Sequence, residues 1–199
     1  EQNVENDQWY QGTADAVRQS MKHLEKYEYD YILILSGDQL YQMDFREMIH
    51  LHCKNEGDIT IATIPVNCKD APGFGILKSD DQGNITSFVE KPSHDILEDW
   101  KSEVSEKSKS EGKEYLASMG IYVFSKNVLK KMFENMPGDD FGGELIPNAL
   151  GTYKTLSFQY DGYWTDIGTI DSFFDANIDL TRDFPHFNLF SNAPIYTRA

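Results

Sequence analysis

Apolar residues along this chain switch between two spacings, and the switching marks out its elements. Residues 31–36, YILILS, are a short, nearly continuous apolar run closed by Gly37. Too short for a lone buried helix, the run predicts a strand buried on both faces of a parallel sheet. DITIATIPV (58–66) and YLASMGIYVF (115–124) read the same way, rich in β-branched and aromatic residues. Leu156, Phe158 and Tyr160 alternate as on a strand with one exposed face. Segments 75–79 and 84–89 flank Asp81-Gln82-Gly83 and predict a hairpin. Between these runs the spacing becomes helical. Ala14, Val17, Met21 and Leu24 form one stripe, and Phe45, Met48 and Ile49 a second. Val128, Leu129, Met132 and Phe133 form a third, and Ile170, Phe173, Phe174 and Ile178 a fourth. Each is the expected buried face of a helix. Thr13, Asp44, Ser125 and Thr169 stand where N-caps belong, with Glu47 in capping-box position after Asp44, and Gly57 reads as a helix stop. Strands alternating with helices predict an α/β fold with a parallel or mixed sheet and helices on both faces.

Polar stretches punctuate this pattern. Residues 93–114 read as a mobile, partly helical surface insertion with Trp100 as main anchor. Pro137-Gly138-Asp139-Asp140 reads as a turn, followed by a short helical segment at 144–147. Beyond Asp183 the periodicity lapses, and Pro185, Asn188, Asn192 and Pro194 suggest a linker. The 199 residues suffice for one sizeable core, and the start, EQNVENDQ, reads as a cut in a longer chain.

Charge narrows the function. The net charge is -15, which argues against general nucleic-acid binding but leaves room for a small phosphorylated ligand held by a few donors and a metal ion. Cys53 and Cys68 make no disulfide framework. No run reaches membrane-span length and no signal peptide is visible, so the cytoplasm is the default expectation.

Candidate chemistry collects at the ends of the expected strands. Asp38 follows an apolar strand, where ligands of open α/β sheets bind, although Gly-Asp is also a common turn. Asp166 sits in the Gly-flanked loop GYWTDIGT. A Mg²⁺ site needs one or two carboxylates plus substrate phosphates, and Asp38 with Asp166 meets that need. Gln11-Gly12-Thr13 leads into a helix N-terminus, with Gly12 allowing close backbone approach to a ligand. Glu90-Lys91-Pro92 ends the hairpin and reads either as a sugar and phosphate contact or as a solvated charge pair. His50, His52, Cys53 and Cys68 lack the spacing of a zinc site, and no G-x-S-x-G elbow is present.

The motifs combine into something specific. GTADAVRQ (12–19), LSGDQLYQMD (35–44), FGIL (74–77), FVEKP (88–92), ASMGIYVF (117–124), DFGGELIP (140–147) and YWTDIGTIDSFFDAN (163–177) occur in this order. Over residues 7–183 the chain resembles the glucose-1-phosphate adenylyltransferases, or ADP-glucose pyrophosphorylases. LSGD with EKP marks the wider sugar nucleotidyltransferases, and ASMGIYVF with DFGxxxIP the ADP-glucose branch.

The resemblance implies a Rossmann-like nucleotide-diphospho-sugar transferase fold with a mixed, mostly parallel sheet and its N-terminal part missing. It implies transfer of the adenylyl group of ATP to α-glucose 1-phosphate, giving ADP-glucose and pyrophosphate in glycogen biosynthesis. By the same resemblance Asp38 and Asp166 hold Mg²⁺ and are catalytic together with Lys91. Gln11, Gly12 and Thr13 contact adenine, Glu90, Gly75 and Ser118 line the sugar pocket, and Lys91 holds the sugar phosphate. Residues 1–183 are then a catalytic domain lacking its glycine-rich phosphate loop, and 184–199 a linker toward an absent β-helix domain. Family members are allosterically controlled tetramers, so the full-length protein is expected to be a homotetramer. Gly143 departs from the family, where many bacterial relatives carry Lys. Two alternatives stay open: a transferase using UTP, GTP or dTTP, and a non-catalytic regulatory subunit.

Overall fold

The structure, a computed structural model, describes residues 9–189. The linker positions Asn192 and Pro194 lie outside them. In chain order the elements are α1 (Thr13–Leu24), β1 (Tyr31–Ile34), β2 (Gln39–Tyr41), α2 (Phe45–Lys54) and β3 (Ile59–Val66). The hairpin β4 (Gly75–Ser79) and β5 (Ile85–Glu90) follows, then α3 (Glu106–Ser110), β6 (Tyr115–Ser125) and α4 (Lys126–Asn135). A wide helical turn over Phe141–Leu145 runs into α5 (Ile146–Ala149), and β7 (Thr155–Gln159), β8 (Trp164–Asp166) and α6 (Ile170–Leu180) complete the chain. The described residues fall into two compact units, each made of separate stretches of chain.

The larger unit holds a six-stranded sheet in the order β5-β4-β6-β3-β7, with β1 also on β6. The long β6 runs antiparallel to β1, β3 and β4, while β3 and β7 pair in parallel. It follows that β1, β3, β4 and β7 point one way and β5 and β6 the other. The sheet is mixed, as expected, with most strands in one direction and β6 threaded between them. Its core joins Ile59, Ile61, Leu77, Leu116 and Phe124 of the sheet to Ala14, Leu129, Met132, Phe141 and Leu145 of the helices.

Several local expectations change. Among the described residues β1 pairs with β6 alone, so Tyr31 and Leu35 stay 41% and 45% exposed and the strand is not buried on both faces. The reverse holds for β7, where Thr155, Leu156 and Ser157 are all buried because the strand packs in parallel beside β3. Ser125 precedes α4 without capping it; its hydroxyl donates to the Gly57 carbonyl and meets Nε2 of buried His52, whose Nδ1 pairs with Thr60. Glu56, at φ 49°, takes the left-handed position that ends α2, and Gly57 N–H closes back on the His52 carbonyl. Stretch 93–114 is anchored chiefly by buried Leu97 and Val104, with Trp100 half-buried beneath the Lys78 ammonium.

Of the described residues, the smaller unit comprises 36–44 and 161–189. Here β2 and β8 form an antiparallel ribbon, and Thr169 caps α6 in a reciprocal capping box with Ser172. The expected stripe on α6 is not buried: Ile170, Phe173, Phe174 and Ile178 are 87%, 55%, 60% and 46% exposed. Ala176 and Asp179 are the buried positions instead. The periodicity was correctly helical, but a two-stranded ribbon offers this unit too little surface to cover the aromatic side.

Candidate functional site

In the larger unit, one candidate site is the end of β5. Ile76↔Val89 and Gly75↔Glu90 are register partners, which sets Glu90 beside Gly75. A Cβ on Gly75 would lie 2.4 Å from the Phe88 ring and 2.8 Å from the Glu90 carboxylate. One on Gly142 would lie 2.7 Å from the same carboxylate oxygen and 3.6 Å from Asp140 Oδ1. Two glycines thus make room for one acid, with a second acid close by. Burial raises the Glu90 pKa, Asp140 adds to the rise, and Lys91 opposes it.

Lys91 follows in a left-handed conformation, φ 44°, with its N–H donating to the Phe74 carbonyl at 3.1 Å. A non-glycine residue held there, beside an acidic pocket, carries local backbone strain. Ser118 lies on β6 at the register shift against β3; its hydroxyl accepts from Gly120 N–H and hydrogen-bonds the phenol of Tyr122. Full burial pushes Tyr122 up to about 12, with Glu90 and Asp140 adding to the rise, so the phenol stays protonated. Tyr122 and Asp140 therefore belong to this acidic pocket. The first was hidden in the sequence by the apolar run GIYVF; the second had a signal in DFGGELIP.

The Gln11-Gly12-Thr13 loop is built differently from expectation. Gly12 is the N-cap of α1, and a Cβ on it would sit 2.2 Å from the Asp139 carbonyl oxygen. The close approach that glycine permits here is to the protein's own backbone. That carbonyl accepts from Ala14 and Asp15 N–H, capping the helix in place of a side chain. Thr13 does not cap; its hydroxyl donates to Asp140 Oδ2 at 2.9 Å and accepts from Phe141 N–H at 3.1 Å. Gln11 N–H donates to the Asp15 carboxylate at 3.0 Å. The tertiary fold therefore brings Gly12 and Thr13 against Asp139 and Asp140, and the Glu90 carboxylate between Gly75 and Gly142. At Gly143 a Cβ would find only Asp140 Oδ1, at 3.5 Å, so the backbone tolerates a side chain there.

The two aspartates lie in the smaller unit. Asp166 ends β8 rather than occupying a free loop, with Gln39 of β2 as its register partner. Ile167 N–H donates to the Asp38 carbonyl at 3.0 Å, and Trp164 Nε1–H to Gln39 Oε1 at 3.1 Å. Ser36 donates to Asp38 Oδ1, and Gly168 N–H to Asp166 Oδ1 at 2.8 Å. A Cβ on Gly168 would meet Asp166 Oδ1 at 3.0 Å and Asp38 Oδ2 at 3.2 Å. Both carboxylates therefore converge on one point that a glycine keeps open. Two hard oxygen donors with room beside them suit Mg²⁺, which takes one or two carboxylates and fills its other positions with water or phosphate.

A family model described as nucleotidyl transferase matches residues 1–183. The chain is 41% identical over 207 aligned residues to the glucose-1-phosphate adenylyltransferase small subunit, chloroplastic/amyloplastic, of Triticum aestivum. That alignment takes in 100% of this chain and 44% of the relative's length. Among the described residues, no helix is long and apolar enough to cross a membrane. The fold, the order of the motifs and the extent of the family match make the chain a member of the nucleotidyl transferase family.

Proposed function

We propose that this chain is the catalytic part of an enzyme that transfers the adenylyl group of ATP to α-glucose 1-phosphate, releasing pyrophosphate and ADP-glucose. The observation that carries the reaction class is the convergence of Asp38 and Asp166 on the space beside Gly168. The choice of adenylyl donor and glucose acceptor follows the name of the wheat relative.

Asp38 and Asp166 would hold Mg²⁺. When bound, the ion supplies positive charge to the phosphate oxygens. The attacking oxygen of a sugar phosphate is already anionic, so no side chain has to remove a proton. The chain's work is positioning and charge compensation. Lys91 is the point charge for the sugar phosphate, presented by its fixed left-handed backbone. Glu90 and Asp140 accept hydrogen bonds from sugar hydroxyls, with Ser118 alongside, and Gly75 keeps the floor open. Gln11, Gly12 and Thr13 receive the nucleotide base.

The test is a panel of ATP, UTP, GTP and dTTP, each with Mg²⁺ and glucose 1-phosphate, on the full-length protein. ATP should support pyrophosphate release at least tenfold faster than the others. Preference for another nucleotide overturns the substrate assignment. Ligand binding without turnover by any of them assigns the chain to a regulatory subunit.

A further inference from the structure

The loop holding Asp140 and the loop holding Gln11–Thr13 are fastened to one another through side chains that the proposed reaction does not use. Arg18, one and a half turns into α1, is central. Its Nη1 donates to Asp139 Oδ1 at 3.0 Å and lies 3.5 Å from Asp15 Oδ1, and its Nη2 donates to the Gly138 carbonyl. The guanidinium carbon sits 5.0 Å above the Phe133 ring of α4. Asp15, held from this side by Arg18, accepts Gln11 N–H and the Gln19 amide through its other oxygen. From the far side, Glu144 Oε2 accepts Asp139 N–H at 2.7 Å and Asp140 N–H at 3.1 Å. Asp140 then holds Thr13 with one oxygen and Gly143 N–H with the other.

We propose that Arg18 and Glu144 are positioning residues that lock segment 138–144 in one register against the Gln11–Thr13 loop, so that nucleotide at the loop and sugar phosphate at the Glu90–Asp140 pocket bind with positive coupling. The inference rests on the functional reading above and adds to it a pair of residues touching neither ligand. Most links in the chain are backbone or charge-assisted hydrogen bonds, joined by the Arg18–Asp15 ion pair. Displacing the start of α1 displaces the Asp139 carbonyl, which accepts from Ala14 and Asp15 N–H at 2.8 and 3.0 Å, and Asp139 adjoins the acid of the sugar pocket. Ordering one loop therefore orders the other, and by linkage the effect is reciprocal.

The experiment measures glucose 1-phosphate affinity calorimetrically, with and without a saturating non-hydrolysable ATP analogue and Mg²⁺, on full-length protein. Wild type should tighten by about fivefold or more, the lower range of such couplings. Arg18→Lys keeps the charge but loses the planar fork, and should reduce the tightening to about twofold. Glu144→Ala should do the same and raise KM for glucose 1-phosphate more than it lowers kcat. Glu144→Gln, whose amide oxygen still accepts both N–H groups, should restore the coupling. Wild-type coupling in both Arg18→Lys and Glu144→Ala overturns the proposal, as does absence of coupling in wild type. Equal loss in Glu144→Gln and Glu144→Ala with matching falls in Tm also overturns it, because the role is then structural. If Glu144→Ala does not fold, Arg18→Lys and Glu144→Gln decide by the same criteria. Failure of the wild-type enzyme to turn over ATP with glucose 1-phosphate counts against the functional reading alone.

Discussion

Two acidic sites in this molecule are built in opposite ways. At the end of β5, Glu90 and Lys91 are set by a broad sheet. The register with β4, the ring of Phe88, the missing side chains of Gly75 and Gly142 and a left-handed backbone leave little freedom. In the smaller unit, Asp38 and Asp166 stand on a two-stranded ribbon and are aimed by short-range hydrogen bonds from Ser36, Ile167 and Gly168. The first arrangement suits recognition of a shaped, neutral sugar, where a misplaced acceptor loses specificity. The second suits a cation, which binds between two carboxylates held only at their own ends of a short ribbon. Packing thus supplies geometry in one site, and local hydrogen bonds supply it in the other.

The largest effect that would sharpen this contrast lies in the aspartates. Asp38→Asn, and separately Asp166→Asn, should lower kcat about 100-fold or more while leaving circular dichroism and Tm near wild type, since charge acts mainly on the transition state. Near-normal turnover at modest Mg²⁺ would remove that residue from the metal site. Next in size, Lys91→Ala in the full-length enzyme should raise KM for glucose 1-phosphate by a factor corresponding to roughly 1.5–3 kcal/mol, the worth of a charge-assisted contact. A rise in KM for ATP alone would break the assignment. Lys91→Gly loses the same charge but sheds a left-handed penalty of roughly 1–2 kcal/mol, so it should be the more stable of the two variants.

The glycines compare the two sites directly. Gly75→Ala drives a methyl into Phe88 and Glu90 and should destabilise by about 1–3 kcal/mol. Gly168→Ala meets only carboxylate ends, which can swing away, so its stability cost should stay near 0.5 kcal/mol while activity falls as the two acids separate. Urea melts and initial rates on both variants would show it; equal stability losses would erase the distinction.

The smallest effect is a separation in acid. Burial lowers the His52 pKa from its usual 6.5, with Asp58 opposing, so the larger unit holds it neutral while the unfolded chain protonates it. Its contribution is intact above about pH 6.5 and erodes below, by at most about 1.4 kcal/mol per pH unit. In the smaller unit, Asp179 is held below its usual 3.8 by the His186 side chain and N–H and by Arg182. That contribution is present above 3.8 and goes only as pH falls further. Amide protection factors, which correct for the intrinsic slowing of exchange in acid, should therefore fall around β3 and α2 before they do in α6 as pH drops from 7.5 to 5. The opposite order would refute it.

Most elements were legible in the sequence because they rest on local chemistry. The hairpin needed Gly83 at φ 80° and an Asp80 carboxylate accepting from Gln82 and Asn84 N–H, all within five residues. The Thr169–Ser172 capping box is likewise local, and the stripes of α1 and α4 pack on the core as their spacing implied. The ordered motifs also carried the family.

Partners distant in the chain were decided only by the tertiary structure. Thr13 looked like a cap, but Asp140, 127 residues away, claims its hydroxyl, and the Asp139 carbonyl caps the helix instead. Ser125 looked like a cap as well, but His52 and Gly57 use it. The apolar face of α6 has the same periodicity as that of α1, yet one packs and the other is exposed. Periodicity records which side of a helix is apolar; what lies against that side depends on the rest of the chain. The convergence of Asp38 with Asp166, and of Glu90 with Gly142 and Asp140, depended in the same way on strand register, which local sequence does not encode.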